Sequence, residues 1–236
     1  MPHEINICDL VVEENKRRGD DEKKLYVMYD QMYWQLTYGS TKHHDPVTLN
    51  PEMRNYTVYI DAISKAFAST GVRVGWSFGP KVILDKMKAI LSHVGAWAPN
   101  AEQKAVAKFL YQTEAIDSYL KNFKSEVEER LRRIYEGFVQ LKQQGYNIDA
   151  VTPEAAIYLT IKLDFVGKKM PDGTVLKTQS EVTSYLLQHA SLAVVPFYAF
   201  GADKSSPWYR LSVGTCKKEE IGEMLGKLSG ALKNLS

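Results

Sequence analysis

The sequence has few cysteines, little net charge and no long apolar run. Its two cysteines, Cys8 and Cys216, form no CxxC pair, which argues against a disulfide framework and fits a reducing compartment. The net charge of +2 favours neither nucleic acid nor a membrane surface as a partner. No apolar stretch approaches the roughly 20 residues of a transmembrane helix, and the N-terminal MPHEINICDL lacks the pattern of a signal peptide. We therefore expect a cytoplasmic protein that binds no nucleic acid and no membrane.

The residues that are present are those of an ordinary globular chain, since 44% of the 236 are hydrophobic and 25% are charged. Helical spacing and capping residues predict helices over 5–18, 80–93, 101 to about 145 with a break near 113, 178–190, and 217–235. Apolar and β-branched runs predict strands over 24–30, 56–63, 72–78, 156–163, 192–198 and 208–213. The segment 41–55, rich in His, Asp and Pro, is expected to be a loop.

This order of elements predicts an α/β fold in three parts. An α/β part covers 1–113, a charged connecting helix covers 114–145, and a smaller α+β part covers 146–236. The helix is set apart because long helices that are dense in charge often connect two domains. The sequence contains no internal repeat and no low-complexity segment.

The stretch SKAFASTGVRVGW, residues 64–76, holds the residues with the clearest chemistry. Lys65 follows a predicted strand end, where side chains of open α/β sheets face a ligand crevice, and a lysine there can form a Schiff base with an aldehyde cofactor. Arg73 has the planar fork that suits a phosphate, and Ser64 adds a hydroxyl donor. On spacing alone, a surface lysine and a structural arginine around a turn are the favoured interpretation.

Three motifs together resemble a known family. The S-K-x-F-x-x-x-G-x-R-x-G-W pattern resembles the cofactor-lysine motif of class I and II aminotransferases, the fold-type-I pyridoxal-phosphate family, and in particular its aspartate aminotransferase-like members. The segment 29–33 resembles the family's D-x-x-Y, and 208–212 resembles its R-[LFI]-S. The motifs occur in the family's order and cover nearly the whole chain. The resemblance implies the C-terminal part of the large cofactor-binding domain, a mixed sheet with flanking helices, followed by a long connecting helix and a small α+β C-terminal domain.

The resemblance also assigns cofactor-binding roles. Lys65 would bind pyridoxal 5′-phosphate covalently and act as the catalytic acid and base. Asp30 would pair with the ring nitrogen, which keeps the ring able to accept electrons. Tyr33 would donate a hydrogen bond to the phenolic oxygen of the cofactor. Ser64 and Arg73 would hold the 5′-phosphate.

The remaining roles concern the substrate and metals. By the same resemblance, Arg210 would bind the substrate α-carboxylate through two parallel hydrogen bonds. The adjacent His43 and His44 beside Asp45 could suggest a metal site, but such loop histidines are usually exposed to solvent and the family uses no catalytic metal. We therefore expect no metal.

Several departures from the family pattern bear on activity. The position three residues before the lysine, often a hydroxyl residue, is Ala62, and the loop at Phe197 has an aromatic residue where many members have glycine. The glycine-rich phosphate loop, the ring-stacking aromatic residue and the N-P-x-G asparagine of the family's N-terminal half are not in this sequence. We therefore expect only the C-terminal half of the family's fold.

These features leave two classes of function open. The first is transamination between an L-amino acid and a 2-oxo acid, with aspartate or glutamate as the donor on family grounds alone. A lyase or a decarboxylase of the same fold shares the same residues and stays possible. The second is a catalytically inactive or split-gene fragment. Because an incomplete sheet exposes unpaired edges, such a fragment would need a second copy in a homodimer or a separate N-terminal half.

Overall fold

The computed structural model describes residues 7–19 and 21–236, and the chain divides into two compact units, Met1–Leu120 and Lys121–Ser236. The first unit contains, in order, α1 (Ile7–Arg17), β1 (Val27–Asp30), the helical turn α2 (Pro46–Leu49), β2 (Thr57–Ala62), β3 (Gly75–Phe78), α3 (Lys81–Val94) and α4 (Asn100–Phe109). The unit boundary falls inside α5 (Thr113–Gln143). The second unit continues with β4 (Ile148–Ala150), β5 (Tyr158–Leu163), α6 (Gln179–Ala190), β6 (Val195–Pro196), β7 (Trp208–Ser212) and α7 (Ile221–Lys233).

The first unit is built on a three-stranded mixed sheet in the order β1-β2-β3. The β-branched and aromatic residues of β2 suit the central strand, which is almost entirely buried. β1 runs parallel to β2, with Asp30 opposite Ile60, whereas β3 runs antiparallel to β2. Because β1 and β2 are parallel, Asp30 and the segment that follows Ala62 lie at the same edge of the sheet.

Helix α1 covers part of this unit through its apolar face. The buried cluster consists of Cys8, Val11, Val12 and Met53. Asn15 is buried on the same helix, and its side chain donates to the Leu25 carbonyl at 2.8 Å and accepts from the Leu25 amide at 2.7 Å. This pair of bonds fixes the helix to the segment that leads into β1, and it satisfies a buried amide side chain.

Two further helices of the first unit differ in burial. Val106 of α4 is buried in a cluster with Ile63 and Val74, next to the predicted cofactor lysine. Within α3, all of whose residues are described, no side chain is buried, and Val82, Ile90 and Val94 are exposed. None of the described helices combines the length and the apolar character of a transmembrane span.

The second unit is an antiparallel sheet in the order β4-β5-β7-β6, packed with helices. Alternate residues of β5 are buried, as expected for a strand with one covered face. Helix α6 packs against α7, where the buried Tyr185 hydroxyl donates to the Ala231 carbonyl at 2.7 Å. The sequence leaves Thr178 and Ser180 as candidate caps of α6, and the structure has Thr178 as the cap, since its hydroxyl accepts from the Glu181 amide at 3.2 Å.

The fold class predicted from the sequence is confirmed, but two local predictions are wrong. The segment 41–55 is not simply a loop, because Asp45 and Asn50 cap the turn α2 and a 3₁₀ helix over Pro51–Asn55. The predicted strand 192–198 pairs only over Val195–Pro196 and then forms a 3₁₀ helix, Phe197–Phe200. β6 is only two residues long because Pro196 has no amide hydrogen to donate to a neighbouring strand.

The start of β3 and the strand β4 also differ from the prediction. β3 begins at Gly75 rather than residue 72, because Thr70–Val72 is a 3₁₀ helix and Arg73 has a left-handed backbone with φ of 61°. β4 was not predicted, since three residues carry too little pattern to recognise. The division at 113 and 145 into three parts stays a prediction. The predicted helix start at residues 5 and 6 lies outside the described residues.

Candidate active site

The turn after β1 carries the first two predicted site residues. Asp30 is exposed at the carboxyl end of β1, and one of its carboxylate oxygens accepts from the Met32 amide at 3.1 Å. That bond closes a short turn typical of aspartate. Tyr33 is half-buried three residues later. Within the described part of the chain, no donor binds the second oxygen of Asp30, which can therefore accept from a ligand.

Lys65 lies in the turn that follows β2. Its side chain is half-buried, and Nζ lies 5.9 Å from the centre of the Tyr33 ring. Among residues 7–19 and 21–236, no carboxylate lies within ion-pair distance of this amine. The predicted lysine and tyrosine are therefore neighbours, and the amine faces an aromatic ring rather than an acid that would occupy it.

Ser64 and Arg73 lie on segments that the backbone holds side by side. The Ile63 amide donates to the Val74 carbonyl at 3.4 Å, which extends the pairing of β2 and β3. Arg73 is exposed, and its Nη1 donates to the Thr70 carbonyl at 2.9 Å. No described carboxylate pairs with it. Most of its five N–H donors thus stay available for an anion.

Gly75, a fixed position of the motif, has a packing reason. A Cβ at Gly75 would lie 3.0 Å from the Asp61 carbonyl oxygen and 3.1 Å from the Ala62 Cβ. Both distances are shorter than ordinary contacts, so a larger residue would push β3 away from β2. The glycine therefore keeps the Arg73 segment close to the strand that leads to Lys65.

Arg210 lies in the second unit, in the middle of β7. Its Cζ is 4.4 Å from the ring centre of Tyr158 on β5 and 4.4 Å from the ring centre of Phe200. The 3₁₀ helix that carries Phe200 ends at Gly201, whose φ of 92° is favourable only for glycine. No acid in the described residues pairs with Arg210. Two aromatic rings therefore contact the guanidinium, whose planar fork of N–H donors can bind a carboxylate through two parallel bonds.

Three functional candidates were missed by the sequence reasoning. Asp61, a buried acid at the end of β2, accepts from the Gln31 side chain at 3.1 Å and from the Trp34 indole at 3.0 Å. An acid inside the apolar run YIDAI is the signal that could have identified it. Tyr158 was missed because it is distant from Arg210 in the sequence, and Phe200 because part of its 3₁₀ helix was predicted to be a strand region rather than a neighbour of β7.

An open cleft of about 570 Å³ lies beside the first sheet, and Trp34, Asp45, Thr57, Tyr59 and Phe78 are among its lining residues. Burial raises the pKa of Asp45, but hydrogen bonds from Thr48 and Tyr59 outweigh it and lower this pKa to about 2. The cleft lining does not include any of the predicted site residues.

The two loop histidines differ from each other. His44 is exposed, as expected, whereas His43 is half-buried with its ring centre 6.0 Å from that of Tyr29 and 5.8 Å from that of Trp34. The part of the chain that the structure describes contains no group of three or more His, Cys, Asp or Glu that could hold a metal ion.

Comparison with known families agrees with this arrangement of residues. The family model for aminotransferases of class I and II matches residues 20–228. The chain belongs to that family. Among its relatives, an aspartate aminotransferase of Rhizobium meliloti (strain 1021) is 29% identical over 213 residues, which are 90% of this chain and 49% of the relative. An aspartate aminotransferase of Geobacillus stearothermophilus is 32% identical, over 80% of this chain and 44% of the relative.

Solved structures support the fold of this class I and II aminotransferase chain. The crystal structure of the Rhizobium meliloti aspartate aminotransferase matches with a TM-score of 0.75 and 27% identity, over 90% of this chain and 51% of that one. An aromatic aminotransferase from Pyrococcus horikoshii OT3 matches with a TM-score of 0.79 and 24% identity, over 96% of this chain and 54% of that one. The chain thus spans about half the length of the relatives it matches. The cofactor predicted from the motif, pyridoxal 5′-phosphate, is the one on which this family depends.

Proposed function

We propose that this chain carries the cofactor-binding lysine and the substrate-binding arginine of a pyridoxal-phosphate-dependent aminotransferase. The reaction would move an amino group between an L-amino acid and a 2-oxo acid. The observation that carries the proposal is the pair formed by Lys65 and Tyr33, since an amine without a described acid partner lies beside a phenol at the edge where β1 and β2 end.

The donor set in the first unit fits the cofactor group by group. Asp30 offers a carboxylate oxygen to a ring nitrogen, and Tyr33 offers a phenol to an oxygen on the same ring. Arg73 and Ser64 offer a guanidinium and a hydroxyl to a phosphate. Ala62 is the one position of poorer fit, because it lacks the hydroxyl that many members of the family have there. Binding of the phosphate would therefore depend more strongly on Arg73.

The chemistry follows from these assignments. When bound, pyridoxal phosphate supplies an electron-accepting ring that stabilises negative charge at the substrate Cα. Lys65 Nζ would bind the cofactor and, once displaced by the substrate amine, would remove the proton from the Cα. Arg210 would hold the substrate carboxylate in the plane of its guanidinium. The negative charge of Asp30 would favour the protonated form of the ring nitrogen.

The choice of substrate rests on the relatives. Those named above are aspartate aminotransferases, and a relative from Rhizobium leguminosarum bv. phaseoli, 30% identical over 89% of this chain and 51% of its own length, is a probable aspartate/prephenate aminotransferase. We infer that aspartate is the first donor to test. The names of these relatives favour transamination over a lyase or decarboxylase reaction. We also propose that the protein is located in the cytoplasm.

The second candidate is a chain that binds cofactor only with a partner, either a second copy or a chain that supplies the rest of the fold. Two observations favour it. The chain spans about half the length of its relatives. Both outer strands of the first sheet, β1 and β3, pair on one side only among the described residues, and Met28 on β1 is 74% exposed. Unpaired strand edges are sites of association.

One experiment separates the candidates. Pyridoxal phosphate is added to the purified chain, and the absorbance of lysine-bound cofactor is recorded against pH for the wild type, Lys65→Ala and Lys81→Ala. We expect the band in the wild type and in Lys81→Ala, whose lysine is exposed in an ion pair with Asp85, and its loss in Lys65→Ala. Bleaching of the band by aspartate would support transamination. A band that persists in Lys65→Ala would refute the assignment of Lys65, and no band in any of the three proteins would favour the second candidate.

A further inference from the structure

Asp61 is a buried carboxylate that the proposed reaction does not use. It is 7% exposed and lies near the carboxyl end of β2, four residues before Lys65. Asp61 is the acceptor in three hydrogen bonds. One oxygen accepts from both Gln31 Nε2 and Trp34 Nε1, and the other accepts from the Ala62 amide at 2.7 Å.

The two side-chain donors lie on either side of Tyr33 in the turn that follows β1. The backbone of the same turn is held at its start, where the Gln31 amide donates to the Ile60 carbonyl at 3.0 Å. Inside the turn, the Trp34 amide donates to the Gln31 carbonyl at 3.0 Å. Asp61 thus adds a second point of attachment, which prevents the turn from pivoting about its backbone bond.

We propose that Asp61 is a positioning residue that fixes Tyr33 relative to Lys65. The turn with Tyr33 and the strand that leads to Lys65 are separate segments of chain, and their side chains meet with Lys65 Nζ 5.9 Å from the Tyr33 ring centre. The Asp61 carboxylate joins these segments directly, through bonds to Gln31 and Trp34. Its catalytic importance rests on the proposed function, whereas its mechanical role can be measured on the chain without cofactor.

Three substitutions can test the hydrogen bonds of the Asp61 carboxylate. Asp61→Ala removes the acceptor from the side-chain amide of Gln31 and the indole of Trp34, and hydrogen bonds to a charged group contribute more than neutral ones. Asp61→Asn has a side chain of the same length with one acceptor oxygen, so it can keep some of these hydrogen bonds but not all of them. Trp34→Phe keeps an aromatic ring but removes the indole donor. These three variants separate the hydrogen bonds from the packing.

The first test is hydrogen–deuterium exchange of the full chain without cofactor. In Asp61→Ala, the amides of 31–36 are expected to exchange about tenfold faster than in the wild type, because a hydrogen-bond pair to a charged group is lost. Asp61→Asn should lie between the two. The matched control Asp85→Ala removes an exposed acid of the same unit and should leave 31–36 unchanged. Equal exchange of 31–36 in Asp61→Ala and the wild type would overturn the proposal.

The second test uses the cofactor. Asp61→Ala should weaken binding of pyridoxal phosphate about tenfold and shift the pH midpoint of the band upward, since Tyr33 is no longer held at the phenolic oxygen. The double variant Asp61→Ala/Trp34→Phe should be no worse than Asp61→Ala, because both changes break one contact. Fully additive effects would contradict the proposal. No band in the wild type would refute cofactor binding by the chain alone and leave the exchange result to decide the role of Asp61.

Discussion

Arg210 shows how aromatic neighbours determine what a charged residue can bind. The rings of Tyr158 and Phe200 each have a centre 4.4 Å from Cζ, a distance at which aromatic rings attract a guanidinium and restrict its orientation. Phe200 is itself half-exposed, whereas Arg210 belongs to a paired strand. The orientation of the guanidinium therefore depends on a ring that is held by one short 3₁₀ helix.

Phe200→Ala tests this dependence. We expect the dissociation constant of a 2-oxo acid such as oxaloacetate, measured by calorimetry, to rise about two- to fivefold, because cation–π contacts at exposed sites contribute about 0.5–1 kcal/mol. Phe200→Tyr keeps the ring and should bind as the wild type does. Equal affinities for all three proteins would show that the ring does not orient Arg210.

Asp45 gives a prediction about acid stability. Burial raises its pKa, but the bonds from Thr48, Tyr59 and the amides of α2 outweigh burial and lower it to about 2, below its ordinary value of 3.8. Because the folded pKa is the lower one, the carboxylate stabilises the fold above about pH 4, and this contribution is lost as the pH falls toward 2. Asp45→Asn keeps an N-cap but cannot titrate.

The melting temperature of the wild type should therefore fall more steeply than that of Asp45→Asn between about pH 4 and pH 2. Glu14 has a pKa that hydrogen bonds from Arg17 and Arg18 lower to about 2, and it titrates in the same window in both proteins. The difference between the two curves thus isolates Asp45. Parallel curves over this range would contradict the role of the carboxylate.

At the scale of the elements, caps and strand ends determine where the candidate site residues lie. Thr178 begins α6 by accepting from the Glu181 amide, and the Glu181 carboxylate accepts from the amide of Lys177, the residue before the cap. This cap was predictable, since the residue types and their spacing are local. The carboxyl ends of β1 and β2 were predictable for the same reason, and with them the edge that holds Asp30 and Lys65.

Thr178→Ala should lower the free energy of unfolding of the second unit by about 1 kcal/mol, the usual value of an N-cap hydroxyl. Ser180→Ala, an exposed position in the first turn of the same helix, is the matched control and should change stability by much less. Urea unfolding of both variants measures the difference. A smaller loss for Thr178→Ala than for Ser180→Ala would show that the hydroxyl does not cap α6.

What could not be predicted are the contacts between segments. The three motifs predict roles for Lys65, Tyr33 and Arg210, but they do not predict that Asp61 joins the turn of Tyr33 to β2. Such a bond depends on parallel pairing and on side-chain direction, which a single sequence does not encode locally. The short β6 was also misjudged, because apolar residues around Pro196 have the composition of a strand while proline limits the pairing.

At the scale of the whole molecule, the candidate residues are divided between two compact units. The first contains the lysine, the carboxylate, the phenol and the phosphate-binding candidates, and the second contains Arg210. In this division, the unit that would bind the cofactor differs from the unit that would bind the substrate carboxylate. The unit boundary falls within α5, so one continuous helix belongs to both.

The left-handed backbone of Arg73 has a consequence for how this chain evolves. A non-glycine residue with φ of 61° is strained by about 1–2 kcal/mol, and glycine would relieve that strain. An exchange of Arg73 for glycine would thus relieve the backbone strain while it removed the proposed phosphate contact. In a lineage released from selection for cofactor binding, backbone strain would therefore favour the loss of this arginine.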